Sequence, residues 1–302
     1  MVGAIGFALA GRWREFRDTP LDVAPRWEYV VLSAALVLAT YALLIETWRR
    51  ILAAWGDRIA FLDAARIWCV SNLGKYVPGK IWQIGAMGVM AETSGVSPAA
   101  AAGSAIVSVV VNVATGLAVA LIAAWRAVDV MTRGHAALGI ALIAAILGAL
   151  SLAPALLPFA LDWLRRTTGR EIALGAFPHR AIYIAVVGNT VAWIMYGVAF
   201  RLFVVGILGA APYATTDYIA AYASSYVIGY LAFVVPGGVG VREGAQTEMM
   251  VALGLATLPQ AGVVAVTSRL WLTVLEIVPG LYFWTRRNRP RAEESTVRDG
   301  ST

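Results

Sequence analysis

Gly74-Lys75-Tyr76-Val77-Pro78-Gly79-Lys80 and Val235-Pro236-Gly237-Gly238-Val239-Gly240-Val241-Arg242-Glu243-Gly244 are helix-breaking, charge-bearing segments set among long apolar stretches. Backbone freed from helical hydrogen bonding is tolerated at membrane depth only where protein or a wet cavity satisfies it. Interrupted hydrophobic segments in matching places of two halves mark the binding region of many transporters. The pair therefore predicts an all-α, polytopic membrane protein that handles an ion or a polar-headed molecule.

Composition agrees. Of 302 residues, 60% are hydrophobic and only 14% are charged, against about a quarter charged in a soluble domain. The formal charge of +6 comes from arginines at the ends of apolar runs, where topology signals lie, and gives no reason to expect nucleic acid. A single cysteine, Cys69, excludes an internal disulfide. His135 and His179 flank apolar runs, which argues against a histidine metal centre, and no cofactor is expected.

Spans are expected at Trp27 to about Trp48, from near Pro98 to Trp125, at Ala136–Leu161, at Ala181 to about Leu208, and at Gly262–Trp284. Arg49–Arg66 mixes arginines and aspartates with Ile51, Leu52, Trp55, Ile59, Phe61 and Leu62, and predicts a helix lying along the interface. Met1–Ala10 is apolar but short of the roughly 20 residues a span needs. With Arg12, Arg14 and Arg17 behind it, it reads as a truncated first span or an interfacial anchor. Residues 1–285 form a single transmembrane domain, and 286–302 a polar cytoplasmic tail.

The arginine distribution puts Arg49–Arg66, Arg165–Arg180 and Arg286–Arg291 on the cytoplasmic side, with Arg126–His135 and Ala211-Pro212 outside. Arg12–Arg26 then also falls outside, against the rule. Three spans separate the two motifs, so re-entrant hairpins at about 67–92 and 218–258 enter from opposite faces, as an inverted repeat. The repeat is traceable: Glu92, Gly95 and Pro98 follow the first motif, and Glu248, Gly254 and Pro259 follow the second.

Lys75 and Lys80 are the only lysines. A compact ammonium suits a mobile phosphate, while the plainer reading has both snorkelling to anchor the hairpin. Gly237 and Gly238 permit a sharp turn, after which Arg242 and Glu243 open a helix whose free N–H groups favour anions. The plainer reading makes Glu243 a first-turn acid. Arg269 and Glu276 share one face of the last span, seven residues apart, and Arg269 is within reach of Glu243 or Glu248 across the hairpin. Asn112 and Asn189 read as interhelical hydrogen-bonding residues, Glu46, Glu92 and Arg201 as interfacial, and tryptophans and tyrosines at span edges as belts. Elbow, Walker A and zinc-protease motifs are missing.

These residues resemble the lysylphosphatidylglycerol synthase transmembrane-domain family, flippase-like proteins related to the N-terminal half of multiple peptide resistance factors. The likeness rests on Gly74–Trp82, on Val235–Gly244, and on Ser268-Arg269 ahead of Pro279-Gly280, and covers about Trp27 to Trp284. Many members carry a charged residue in the span after the first motif, where this chain has Ser104, Ser108 and Asn112.

The resemblance implies translocation of an anionic or lipid-linked headgroup, of phospholipid or polyprenyl-phosphate type, across the cytoplasmic (inner) membrane, with no aminoacyl-transferase domain and hence no enzyme activity expected. Lys75, Pro78, Gly79, Lys80, Pro236, Gly237, Gly238, Arg242, Glu243 and Arg269 form the expected substrate site. The cations would hold the phosphate, and Glu243 would orient an arginine or meet a cationic moiety. Expected partners are the membrane lipid and envelope glycosyltransferases or lipid-synthesis enzymes. Two alternatives remain: an accessory subunit of an envelope pathway, and a lipid-phosphate transferase using Glu243 with Asp217 or Glu248.

Overall fold

The computed structural model describes residues 25–77, 81–124, 178–232 and 235–285. The expectations for residues 1–24, for Ala136–Leu161, for the arginine loop up to residue 177 and for the tail lie outside these. The described residues are all-helical, in eight α-helices and two short 3₁₀ turns. Four helices are long and apolar enough to cross a bilayer: Trp27–Ala54, Gly103–Ala123, His179–Leu208 and Leu258–Thr285.

Helix α1 (Trp27–Ala54) runs through Arg49 and Arg50, so the expected interfacial helix over Arg49–Arg66 is corrected. Glu46 accepts from Arg49 Nε at 2.7 Å and from Arg50 Nε at 2.7 Å. These i,i+3 and i,i+4 pairs let the helix continue where two cations suggested its end. The chain turns beyond Trp55, with Gly56 at φ 97°, and α2 (Phe61–Asn72) follows.

A 3₁₀ turn, Leu73–Tyr76, ends at an extended Val77 (φ −87°, ψ 136°), as a following proline demands. Helix α3 (Ile81–Glu92) follows, then α4 (Pro98–Ala123). Ser97 caps α4, with Pro98 in its first turn. The Ser97 hydroxyl donates to Asp57 at 2.6 Å, fastening the α1–α2 turn to the start of α4.

The second half repeats this order. Helix α5 (His179–Leu208) leads to α6 (Thr215–Leu231), a 3₁₀ turn at Pro236–Gly238, α7 (Val241–Ala252) and α8 (Leu258–Thr285). Each half is thus a long helix, a shorter one, a 3₁₀ break, a helix of 12 residues and a closing long helix. The pairing also repeats. Helix α2 packs on α8 and α6 packs on α4, so the segment before each break lies against the closing helix of the other half. The two 3₁₀ turns meet between them.

Small residues allow the long helices to approach. Ser33 donates to the Ala199 carbonyl at 2.8 Å across α1 and α5, and a Cβ on Gly188 would collide with the Thr47 side chain. Asn112 Nδ2 donates to Asn189 Oδ1 at 2.9 Å, joining α4 to α5 as expected. Arg201 holds the turn after α5, donating to Thr215 Oγ1 at 3.1 Å. Exposed apolar side chains recur at helical spacing, as in Tyr183, Val187, Val191 and Ile194 on α5 and Leu270, Val274, Val278 and Leu281 on α8. Such stripes suit lipid rather than water.

Candidate functional site

Helix α8 reaches both breaks. At the first, Lys75 Nζ lies 2.6 Å from Glu276 Oε1, and the Tyr76 hydroxyl donates to Glu276 Oε2 at 2.5 Å. At the second, Arg269 Nη2 donates to the Gly237 carbonyl at 2.7 Å, and its Nε lies 3.4 Å from Glu243 Oε1. The carbonyl freed where the helix breaks is thereby satisfied by side-chain charge. Glu243 is the partner that Arg269 takes, and its other oxygen accepts the backbone N–H of Gly240 ahead of α7. The first-turn and ion-pair readings of Glu243 therefore both hold.

The turn itself requires glycine. Gly237 and Gly238 sit at φ 60° and 66°, and a Cβ on Gly238 would lie 2.5 Å from the Gly229 carbonyl oxygen on α6. Gly229 in turn is pressed against Arg242, whose Cβ would be 2.6 Å from an added methyl. The missing side chain at Gly229 lets Arg242 approach α6 closely. Arg242 is buried, at 5% exposure, with its guanidinium carbon 4.6 Å from the Tyr226 ring centroid and 5.2 Å from that of Tyr222. Among the described residues no carboxylate pairs with it.

A cavity of about 160 Å³ opens at this point. Lys75, Gly237, Arg242, Arg269 and Glu276 line it, together with Asn112, Asn189, Trp193, Tyr196, Tyr222 and Tyr226. Of the residues expected from sequence, Lys75, Gly237, Arg242 and Arg269 share this wall. Gly238 and Glu243 lie behind it, both buried, and Pro236 starts the turn. Pro78, Gly79 and Lys80 lie outside the described residues.

Sequence reasoning placed Glu276 beside Arg269 but not in the site, and it left out Tyr76. It placed aromatic residues at span edges in belts and gave the interior set no role. Trp193 and Tyr226 have ring centroids 5.1 Å apart, and Tyr196 stacks on Tyr222 at 5.6 Å, all buried or half-buried at the centre. A signal existed: Tyr218, Tyr222, Tyr226 and Tyr230 recur every fourth residue along α6, one face of a helix.

Among the described residues of the site, three cations stand with two carboxylates, leaving one positive charge in a low-dielectric setting. Lys75 and Arg269 spend their charge on Glu276 and Glu243. Among the described residues Arg242 lies over aromatic faces without an ion pair, so an arriving anion would complete its pairing. Among known families, the model of the lysylphosphatidylglycerol synthase TM region matches residues 2–280. No curated protein and no solved structure matches the chain.

Proposed function

Since the chain belongs to the lysylphosphatidylglycerol synthase TM-region family, we propose that it moves an anionic phosphate-bearing lipid headgroup across the cytoplasmic membrane. The headgroup passes through the central cavity while the acyl or prenyl chains stay in the bilayer. Arg242 carries this reading: it is a buried cation at the cavity wall, compensated by tyrosine faces rather than by a carboxylate. Lys75 and Arg269 hold the two broken segments in place through α8 and lend field strength to the same space. The protein relocates its lipid without altering it covalently. The segments before and after each break form re-entrant elements of an inverted repeat, so the cavity faces each side of the membrane in turn.

The test is headgroup movement in proteoliposomes containing reporter-labelled anionic phospholipid or labelled polyprenyl phosphate. Wild-type protein is expected to accelerate one of them, and folded Arg242→Ala to lose that acceleration. Movement of both lipids at the protein-free rate, with wild-type protein correctly folded, would overturn the reading.

A further inference from the structure

We propose that the cavity selects lipids whose phosphate bears an uncharged polyhydroxylated ring, a hexose or an inositol, over lipids bearing an amine. The proposal rests on the translocation reading of the same cavity and narrows its substrate.

Two amide pairs line the wall. Asn112 Nδ2 donates to Asn189 Oδ1 at 2.9 Å, and Asn189 Nδ2 to the Ala185 carbonyl at 2.8 Å. Gln83 Nε2 donates to Asn72 Oδ1 at 3.0 Å. Among the described residues this leaves the Asn112 carbonyl, the Gln83 carbonyl and the Asn72 amino group with hydrogen-bonding capacity towards the cavity. That is a mixed set of neutral donors and acceptors. Hydroxyls both donate and accept, and so match it; an ammonium only donates, and needs a carboxylate to offset its desolvation. The carboxylate on the wall, Glu276, already has both oxygens engaged, by Lys75 and by Tyr76.

The aromatic wall points the same way. Tyrosine rings can hold a cation, but the Tyr222 and Tyr226 rings already carry Arg242, and a second positive charge there meets repulsion. Trp193 continues the wall from Tyr226, and its indole N–H donates to the Asn112 backbone carbonyl at 3.0 Å. The surface from Arg242 to Asn112 is therefore a run of aromatic rings with a guanidinium at one end and an amide at the other. A phosphate on Arg242 leaves its substituent beside the Trp193 ring, where the apolar C–H face of a sugar can pack, with its hydroxyls towards Asn112.

Two measurements separate this proposal from the one beneath it. Detergent-purified protein is titrated with glucose 1-phosphate, inorganic phosphate and phosphoethanolamine. In parallel, proteoliposomes are assayed with labelled phosphatidylinositol, polyprenyl phosphate-hexose and phosphatidylethanolamine. The ring-bearing ligand and lipids are expected to be favoured about tenfold, the worth of one or two hydrogen bonds. Asn112→Ala should level the preference, and Gln83→Ala gives the same readout should the first variant not fold. Glucose 1-phosphate preferred in binding with no lipid moving would sink translocation but keep the selectivity. Amine-headed lipids moving as fast as ring-headed ones, or a preference that survives both substitutions, would overturn the proposal.

Discussion

At the scale of the single residue, Arg242 and the Lys75–Glu276 pair make opposite demands. Arg242 acts as a flat cation lying over two neighbouring tyrosine rings, and lysine reproduces neither its stacking nor its forked donors. Arg242→Lys is therefore expected to be nearly as inactive as Arg242→Ala in headgroup movement; full activity in the lysine variant would show that charge alone suffices. The Lys75 and Glu276 side chains are only 15% and 10% exposed, so removing one strands the other. Glu276→Gln or Lys75→Met alone should cost about 3–5 kcal/mol, read as a lower melting temperature in detergent. The double variant Lys75→Met with Glu276→Leu should recover most of that loss, and equal instability of single and double variants would rule out the pairing argument. The cations were legible in the sequence because charge inside an apolar run has few uses. The tyrosines were not, because composition looks the same for a belt and for an interior wall; only their fourfold spacing on α6 separates the two.

At the scale of the element, the second break depends on backbone rather than on side chains. Gly238 combines a φ of 66° with a carbonyl oxygen 2.5 Å from where a Cβ would stand. Gly238→Ala should lose about 1–3 kcal/mol from the dihedral alone and more from the overlap with Gly229. Gly244→Ala, in a helix with nothing within 4 Å of the added methyl, should be neutral or slightly stabilising. Comparable losses from both would mean the turn is not held as described. Pro236-Gly237 located the second break in the sequence, and the first ends at Val77, just ahead of Pro78. The path of α1 through Arg49 and Arg50 was missed because two adjacent cations usually close a span, and their joint hold on Glu46 is a local pairing that hydropathy does not see.

At the scale of the whole molecule, the matching element order and the crossed pairing of α2 with α8 and α6 with α4 interlock the halves. Each half covers part of the other's broken segment, so neither is expected to fold alone. An inverted arrangement predicts that the outer ends of the two broken segments face opposite aqueous compartments. In a Cys69→Ala background, Ser94→Cys and Thr257→Cys, both exposed just beyond the helix that follows each break, should react with a membrane-impermeant thiol reagent from opposite sides of oriented vesicles; labelling of both from one side would reject the inversion. Four spans and two interruptions were legible from hydropathy and Pro-Gly punctuation. The crossed pairing was not, since which helix covers which break is a long-range property that no local pattern carries.

Arg269 and Glu276 are separated by two helical turns of α8, and each fastens a different half of the protein. A rigid rod with two grips along one edge cannot turn without loosening both. Rotation of α8 by one residue's worth of arc, about 100°, would carry the guanidinium away from the Gly237 carbonyl and the carboxylate away from Lys75 in the same stroke. Release of the two breaks is then mechanically simultaneous, like a single key that throws two bolts.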